Sequence, residues 1–228
     1  MKLSALVLAV FLSGIPRAGA ATRIDHTVRP GDTLASIAGA YIHLADAYTK
    51  QEFIDEIRRA NNLGDKGLSV GKIIVVPVVR DEPVRPASVK RPKGFEAKGA
   101  YINQFTAGTS RVFDIARRLK ARGGNAIVFD AKEVEGLPTY RSAVPGEHLG
   151  LTSYTYAIDD PAKLVAYLHA MDVHVVARVC MFRDFYNSEH NAFWRFDREW
   201  VNPANPKVQE YNLAIVKELL NYGVDEIQ

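Results

Sequence analysis

The chain has 228 residues, 47% hydrophobic and 24% charged, proportions that exclude disordered and fibrous classes and allow one large domain or two modest ones. Its formal charge of +3, from 29 basic and 26 acidic residues, is too small and too scattered for a nucleic-acid-binding surface. The one cysteine, Cys180, excludes an intrachain disulfide, and its place at the end of an apolar run reads as a small core residue.

The N-terminus carries an export address. Lys2 precedes an apolar run from Leu3 to Ile15, and Ala18-Gly19-Ala20 supplies the small residues that signal peptidase needs. The expectation is a signal peptide over residues 1–20, cleaved after Ala20, and a mature chain secreted to the cell envelope without a membrane span. The run is short for a bilayer, and no cysteine follows it to take a lipid. An uncleaved anchor is the alternative.

Residues 24–79 read as a first small module. Ile24, His26 and Val28 alternate with polar residues as in a short strand, which Arg29-Pro30-Gly31-Asp32 then breaks. Asp32 or Thr33 caps a helix from Leu34, with Ile37, Ala38 and Tyr41 at helical spacing. A second helix over residues 51–60 buries Phe53, Ile54 and Ile57, and residues 72–76 form a last strand closed by Pro77. So small a core requires the two strands to pair antiparallel, with both helices on one face.

These residues carry a resemblance. His26-Thr27-Val28-Arg29-Pro30-Gly31-Asp32-Thr33-Leu34, then Ala60-Asn61-Asn62-Leu63, Leu68-Ser69-Val70-Gly71-Lys72 and Val76-Pro77 closely resemble the lysin motif (LysM). The resemblance implies binding of N-acetylglucosamine-containing glycans, chiefly peptidoglycan and chitin. It maps the sugar groove onto Gly31, Asp32, Thr33 and Leu34 and onto Gly67, Leu68 and Ser69. The bland reading makes Gly31 and Asp32 a turn and a cap only. One departure stands out: the segment between the helices, residues 42–50, is longer than the family usually has.

Residues 80–97 hold Pro83, Pro86 and Pro92 among Arg85, Lys90, Arg91 and Lys93 without apolar period, which predicts a semi-extended, solvated linker. Residues 98–228 then alternate strands and helices. Apolar stretches at residues 98–105, 125–132, 173–179 and 224–228 read as strands. Amphipathic stretches at residues 111–122, 161–171 and 206–222 read as the helices between them. That alternation predicts a parallel sheet with right-handed crossovers and a ligand site at the carboxyl ends of the strands.

Alternation along the strands assigns faces. Asp130 is in phase with Val128, Arg178 with Val176, and Glu226 with Val224 and Gln228. If these phases point to a barrel axis, Asp130, Arg178, Glu226 and Gln228 converge there, with Arg178 in salt-bridge reach of Asp130 or Glu226. Two long strand-to-helix segments, residues 133–158 and 180–205, suggest a site. The second is rich in aromatics, Trp200 among them, beside Asp184 and Asn202. Such rings stack on sugar faces while carboxylates and amides hold hydroxyls. A hydrophobic lid is the alternative.

The second module resembles a bacterial family of glycoside hydrolase-like proteins with a (β/α)8 barrel, distantly like the α-amylase-type enzymes. The carrying residues are Lys98-Gly99-Ala100-Tyr101, Asn125 through Lys132, Ala177-Arg178 with Phe182-Arg183-Asp184, Trp200-Val201-Asn202-Pro203, Tyr211-Asn212 and Gly223 through Gln228. The resemblance implies a secreted glycosidase acting on a cell-wall or other polysaccharide. It makes Asp130 and Glu226 candidate catalytic carboxyls and Arg178, Asp184, Trp200, Asn202 and Gln228 candidate substrate contacts. No cofactor is expected, since Asp130, His148, His169 and His190 lack metal-site spacing. A (β/α)8 barrel takes about 250 residues, whereas only about 130 follow the linker. The fold class expected is therefore α/β, a partial TIM-type barrel of about four strands behind a βααβ LysM domain. In the family the fourth strand continues to a further aspartate, so the expectation is a fragment, incomplete as a catalyst. A half-barrel that dimerises, a non-catalytic glycan scaffold and a polysaccharide deacetylase are the alternatives.

Overall fold

The computed structural model describes residues 23–64 and 67–228; the expected signal peptide lies outside the described residues. The first unit runs β1 (Arg23–Thr27), α1 (Leu34–Tyr41), a 3-10 turn (Ile42–Leu44), α2 (Lys50–Ala60) and β2 (Ile73–Pro77). β1 and β2 pair antiparallel, Arg23 opposite Pro77 and Thr27 opposite Ile73. Each helix opens with a reciprocal capping box, Thr33 with Ser36 and Thr49 with Glu52, which satisfies amide groups the first turn leaves free. Ile37, Phe53, Ile57 and Val76 fill a core of their own. Asn61 ties α2 to β2, its side chain donating to the Val75 carbonyl and accepting the Val75 amide, both at 2.7 Å.

The second unit contains β3 (Gly99–Ile102), α3 (Gln104–Ala107), α4 (Arg111–Lys120), β4 (Ala126–Lys132), α5 (Val144–Leu149), α6 (Pro161–Ala170), β5 (His174–Val179), α7 (Phe185–His190), β6 (Arg195–Asp197), β7 (Trp200–Val201), α8 (Pro206–Asn221) and β8 (Glu226–Ile227). Four strands form a parallel sheet in the order β3-β4-β5-β8. Each new strand joins the same side of the last, so right-handed crossovers put α4, α6 and α8 on one face. The order never reverses, as it would in a doubly wound sheet. This is the topology of a partial (β/α)8 barrel. Ile127, Phe129, Val175 and Ala177 share one buried core with Val112, Leu164, Leu168 and Ile215 of the helices. Tyr101, Val128, Asp130, Val176, Arg178 and Glu226 occupy the other face.

Three sequence expectations need correction. The first strand stops at Ile102 rather than Phe105, because the Asn103 side chain accepts the Thr106 amide and opens α3. Cys180 is half-buried just beyond β5, with its Sγ 3.3 Å from the Arg183 carbonyl, rather than in the core. The linker is not a free spacer: it crosses the amino ends of the strands. Arg91 binds Asp172 at 2.8 Å and lies over the Phe95 ring, which packs on His174 with centroids 5.0 Å apart. Gly223, at φ 87°, admits the linker backbone, since a Cβ there would sit 2.8 Å from the Ala87 carbonyl oxygen.

The long segment between α1 and α2 explains itself in three dimensions: it docks the first unit onto the second. Tyr48 joins the second unit's core, edge-on to Phe113, and its hydroxyl donates to the Ala107 carbonyl at 2.6 Å. Lys163 of α6 is fully buried and donates to the carbonyls of Ile42 and Ala47 at 2.6 and 2.8 Å. Burial lowers its pKa to about 8. Tyr167 and Arg80 bind the Asp46 carbonyl and carboxylate, and Ser110 donates to Glu52.

Candidate active site at the carboxyl end of the sheet

Parallel β4 and β5 set Asp130 beside Arg178, and β3 brings Tyr101 to the same face. Asp130 is fully buried; one carboxylate oxygen accepts the Arg178 Nε and the other the Tyr101 hydroxyl. The Arg178 guanidinium also covers the Tyr101 ring, 5.2 Å from its centroid. That hydrogen bond to Asp130 pushes the Tyr101 phenol above its ordinary range. A second carboxyl completes the group: Glu133, just past β4, accepts from Arg178 at 3.0 Å. Burial pushes the Glu133 carboxyl up, and the hydrogen bond and charge of Asp130 push further, as does Glu135, against an opposing contact from Gln104. The Glu133 carboxyl is thus pushed toward its protonated form at the rim of the sheet, the direction an acid role requires.

Glu226 does not join Asp130. The sheet register sets it beside Val176, one same-face position below Arg178, and it binds His174 at 3.1 Å instead. Gln228 continues the ladder through its backbone, donating to Ala177 and accepting from Val179 at 2.9 Å each. Asp184, expected as a substrate contact, is 1% exposed and holds fully buried Lys132 at 3.0 Å. A register shift after Asp130 sends Lys132 toward Tyr211 of α8. Asp184 also caps α7 through the Asn187 amide, and only glycine fits opposite it: a Cβ on Gly136 would sit 1.9 Å from its Oδ1. Trp200 stays 45% exposed in the β6-β7 hairpin, and the Asn202 side chain accepts the Ala204 amide in the turn before α8. The sequence reading passed over Glu133 and Tyr101, although Glu133 lies just beyond a strand's end, where function gathers in such sheets.

Among the described residues no cluster of His, Cys, Asp and Glu is arranged to hold a metal ion, and no helix is long and apolar enough to cross a membrane.

In the first unit the two loops expected to form a groove are adjacent. The Val28 amide donates to the Lys72 carbonyl and the Gly71 amide to the Val28 carbonyl, both at 2.9 Å. Leu34 and Leu68, one from each loop, pack half-buried on the same core. Asp32 accepts the Arg29 amide at 2.8 Å and His26 at 2.9 Å, and these contacts outweigh burial to hold its carboxyl below the usual range. Thr33 is occupied by its capping box. Gly67 and Ser69 are exposed.

Residues 99–228 match the family model described as "Putative glycosyl hydrolase domain" (DUF4015), and residues 26–77 match that of the LysM domain. No curated protein matches the chain. Among solved structures, a hypothetical protein from Ruminiclostridium thermocellum ATCC 27405 is 26% identical with a TM-score of 0.48, over 56% of this chain and 73% of that one. A beta-N-acetylhexosaminidase is 16% identical with a TM-score of 0.41, over 70% of this chain and 37% of its own length. The chitobiase of Flavobacterium johnsoniae is 14% identical with a TM-score of 0.41, over 70% and 25%.

Proposed function

Because the chain belongs to the glycosyl hydrolase domain family matched over residues 99–228 and carries a LysM domain at 26–77, we propose that it is a secreted, cell-envelope glycoside hydrolase. In this reading the LysM groove grips a peptidoglycan-type glycan containing N-acetylglucosamine, and the rim of the sheet acts on a polysaccharide. One observation carries it: the raised Glu133 carboxyl beside Asp130, at the carboxyl end of parallel strands. A carboxyl whose hold on its proton is strengthened by burial and by a neighbouring carboxylate suits the general-acid role that glycoside hydrolysis needs at the leaving oxygen. Arg178 and Tyr101 are partly exposed and available to sugar hydroxyls. Asp130, buried beneath them, positions both and raises the proton affinity of Glu133.

The test is incubation of the full-length protein with peptidoglycan sacculi, chitin and exopolysaccharide, reading retention and reducing ends separately. Retention on a glycan containing N-acetylglucosamine, with reducing-end release lost in Glu133→Gln, is the expected result. No retention on any of these glycans sinks the LysM half. Retention without release sinks the hydrolase half and favours a non-catalytic glycan scaffold. The specific support for that second reading is that both Asp130 oxygens are engaged and buried.

A further inference from the structure

Beside the carboxyl group lies a cleft of about 550 Å³, within the size range of ligand pockets. Its walls come from α3, the segment after β4, the loop at residues 151–157 and α7. The Phe105 ring is 70% exposed there. Tyr156 stands against Tyr154, centroids 5.5 Å apart, and Tyr186 is braced by stacking on His190. Gln104 connects the cleft to the acid, because it also contacts Glu133, and its Oε1 has no hydrogen-bond partner. Glu135 is the one charged side chain among the lining residues; no lysine, arginine or histidine is with it.

Resting on the glycan reading above, we propose that this cleft is a subsite for pyranose units that carry no negative charge. Braced aromatic rings offer flat apolar faces to a sugar ring, while hydroxyl and amide groups of the wall meet its polar edge. A uronate, sulfate or phosphate would enter beside the Glu135 carboxylate with no cation among the lining residues to pair, Arg178 outside them being held by Asp130 and Glu133, and like charges brought into a partly desolvated site repel. The cleft therefore selects by exclusion, admitting neutral or amino sugars and rejecting acidic ones.

Hydrogen exchange of the full chain locates binding without presuming its site. With chitohexaose as the uncharged probe and hexagalacturonate as the acidic one, the expected result is about twofold slower exchange over residues 151–157 with the first alone. Tyr156→Ala and Phe105→Ala should each weaken that protection about tenfold in ligand concentration, leaving protection of the LysM loops unchanged. Glu135→Gln should let hexagalacturonate protect the cleft. Equal protection by the two probes, or chitohexaose protection confined to the LysM loops, overturns the subsite while sparing the glycan reading. Protection nowhere with either probe overturns both.

Discussion

The two ends of the four-stranded sheet treat their acidic residues in opposite ways. At the amino end, Asp225 is buried with His169 at 2.9 Å, the Val175 amide at 2.8 Å and His174 at 3.6 Å. Burial by itself would push its carboxyl up, yet the hydrogen bonds from His169 and the Val175 amide, with the nearby histidine rings, hold it below the usual aspartate range. At the carboxyl end, Glu133 is pushed up by burial and by Asp130. One end lowers the energy of its charge; the other raises it. Barrel folds divide labour in this way, with stability below and chemistry above, and here the linker strengthens the lower end by packing Arg91 and Phe95 against it.

The division is open to direct attack. Asp225→Ala should be the most damaging change, because it leaves the His169 ring and the Val175 amide without their shared acceptor; a loss of about 2–4 kcal/mol is expected, read as the shift of the urea midpoint. Removing the carboxylate at the other end should cost less. In Asp130→Ala the freed Arg178 and Tyr101 are both partly exposed and can turn to water, so a loss of about 1 kcal/mol is expected, with reducing-end release abolished. A larger stability loss from Asp130→Ala than from Asp225→Ala, measured on the same chain, would erase the distinction between the ends.

How much of this was legible beforehand follows from the range of the interactions. Strand phase placed Asp130 and Arg178 together, because a period of two is a local property, and the capping residues Asp32 and Thr33 announced the first helix. Register is not local: whether Glu226 would rise to Arg178 or fall to His174 depends on which residue of β5 it sits beside. The Asp184–Lys132 pair was hidden for a similar reason, since a register shift within β4 turned Lys132 away from the Asp130 face. Residues 80–97 read as a spacer because proline and charge dominate their composition, and nothing in that composition reveals that Arg91 finds Asp172. The extra length at residues 42–50 was visible as a departure from the LysM pattern. Its partner, Lys163, lies more than a hundred residues away, beyond any periodicity.

The finest test of the comparison is the sign of the pH dependence. Asp225 has a folded pKa below its unfolded value of about 3.9, so its stabilisation is present above that value and is lost as pH falls through the depressed folded one. Glu133 runs the other way. Its folded pKa exceeds the unfolded value of about 4.3, so the stability it lends is complete below that value and is lost as pH rises through the raised folded one. Glu133→Gln keeps the shape and removes the charge; it should leave the acid limb of the stability profile in place and flatten the decline on the neutral side. At pH 7 the variant should be more stable than the parent by less than about 1 kcal/mol, because the side chain is a quarter exposed and partly screened. Urea midpoints of both proteins between pH 4 and pH 8 measure the difference. A variant whose profile parallels the parent's throughout would mean that Glu133 carries an ordinary surface carboxylate, and the two ends of the sheet would then be electrostatically alike.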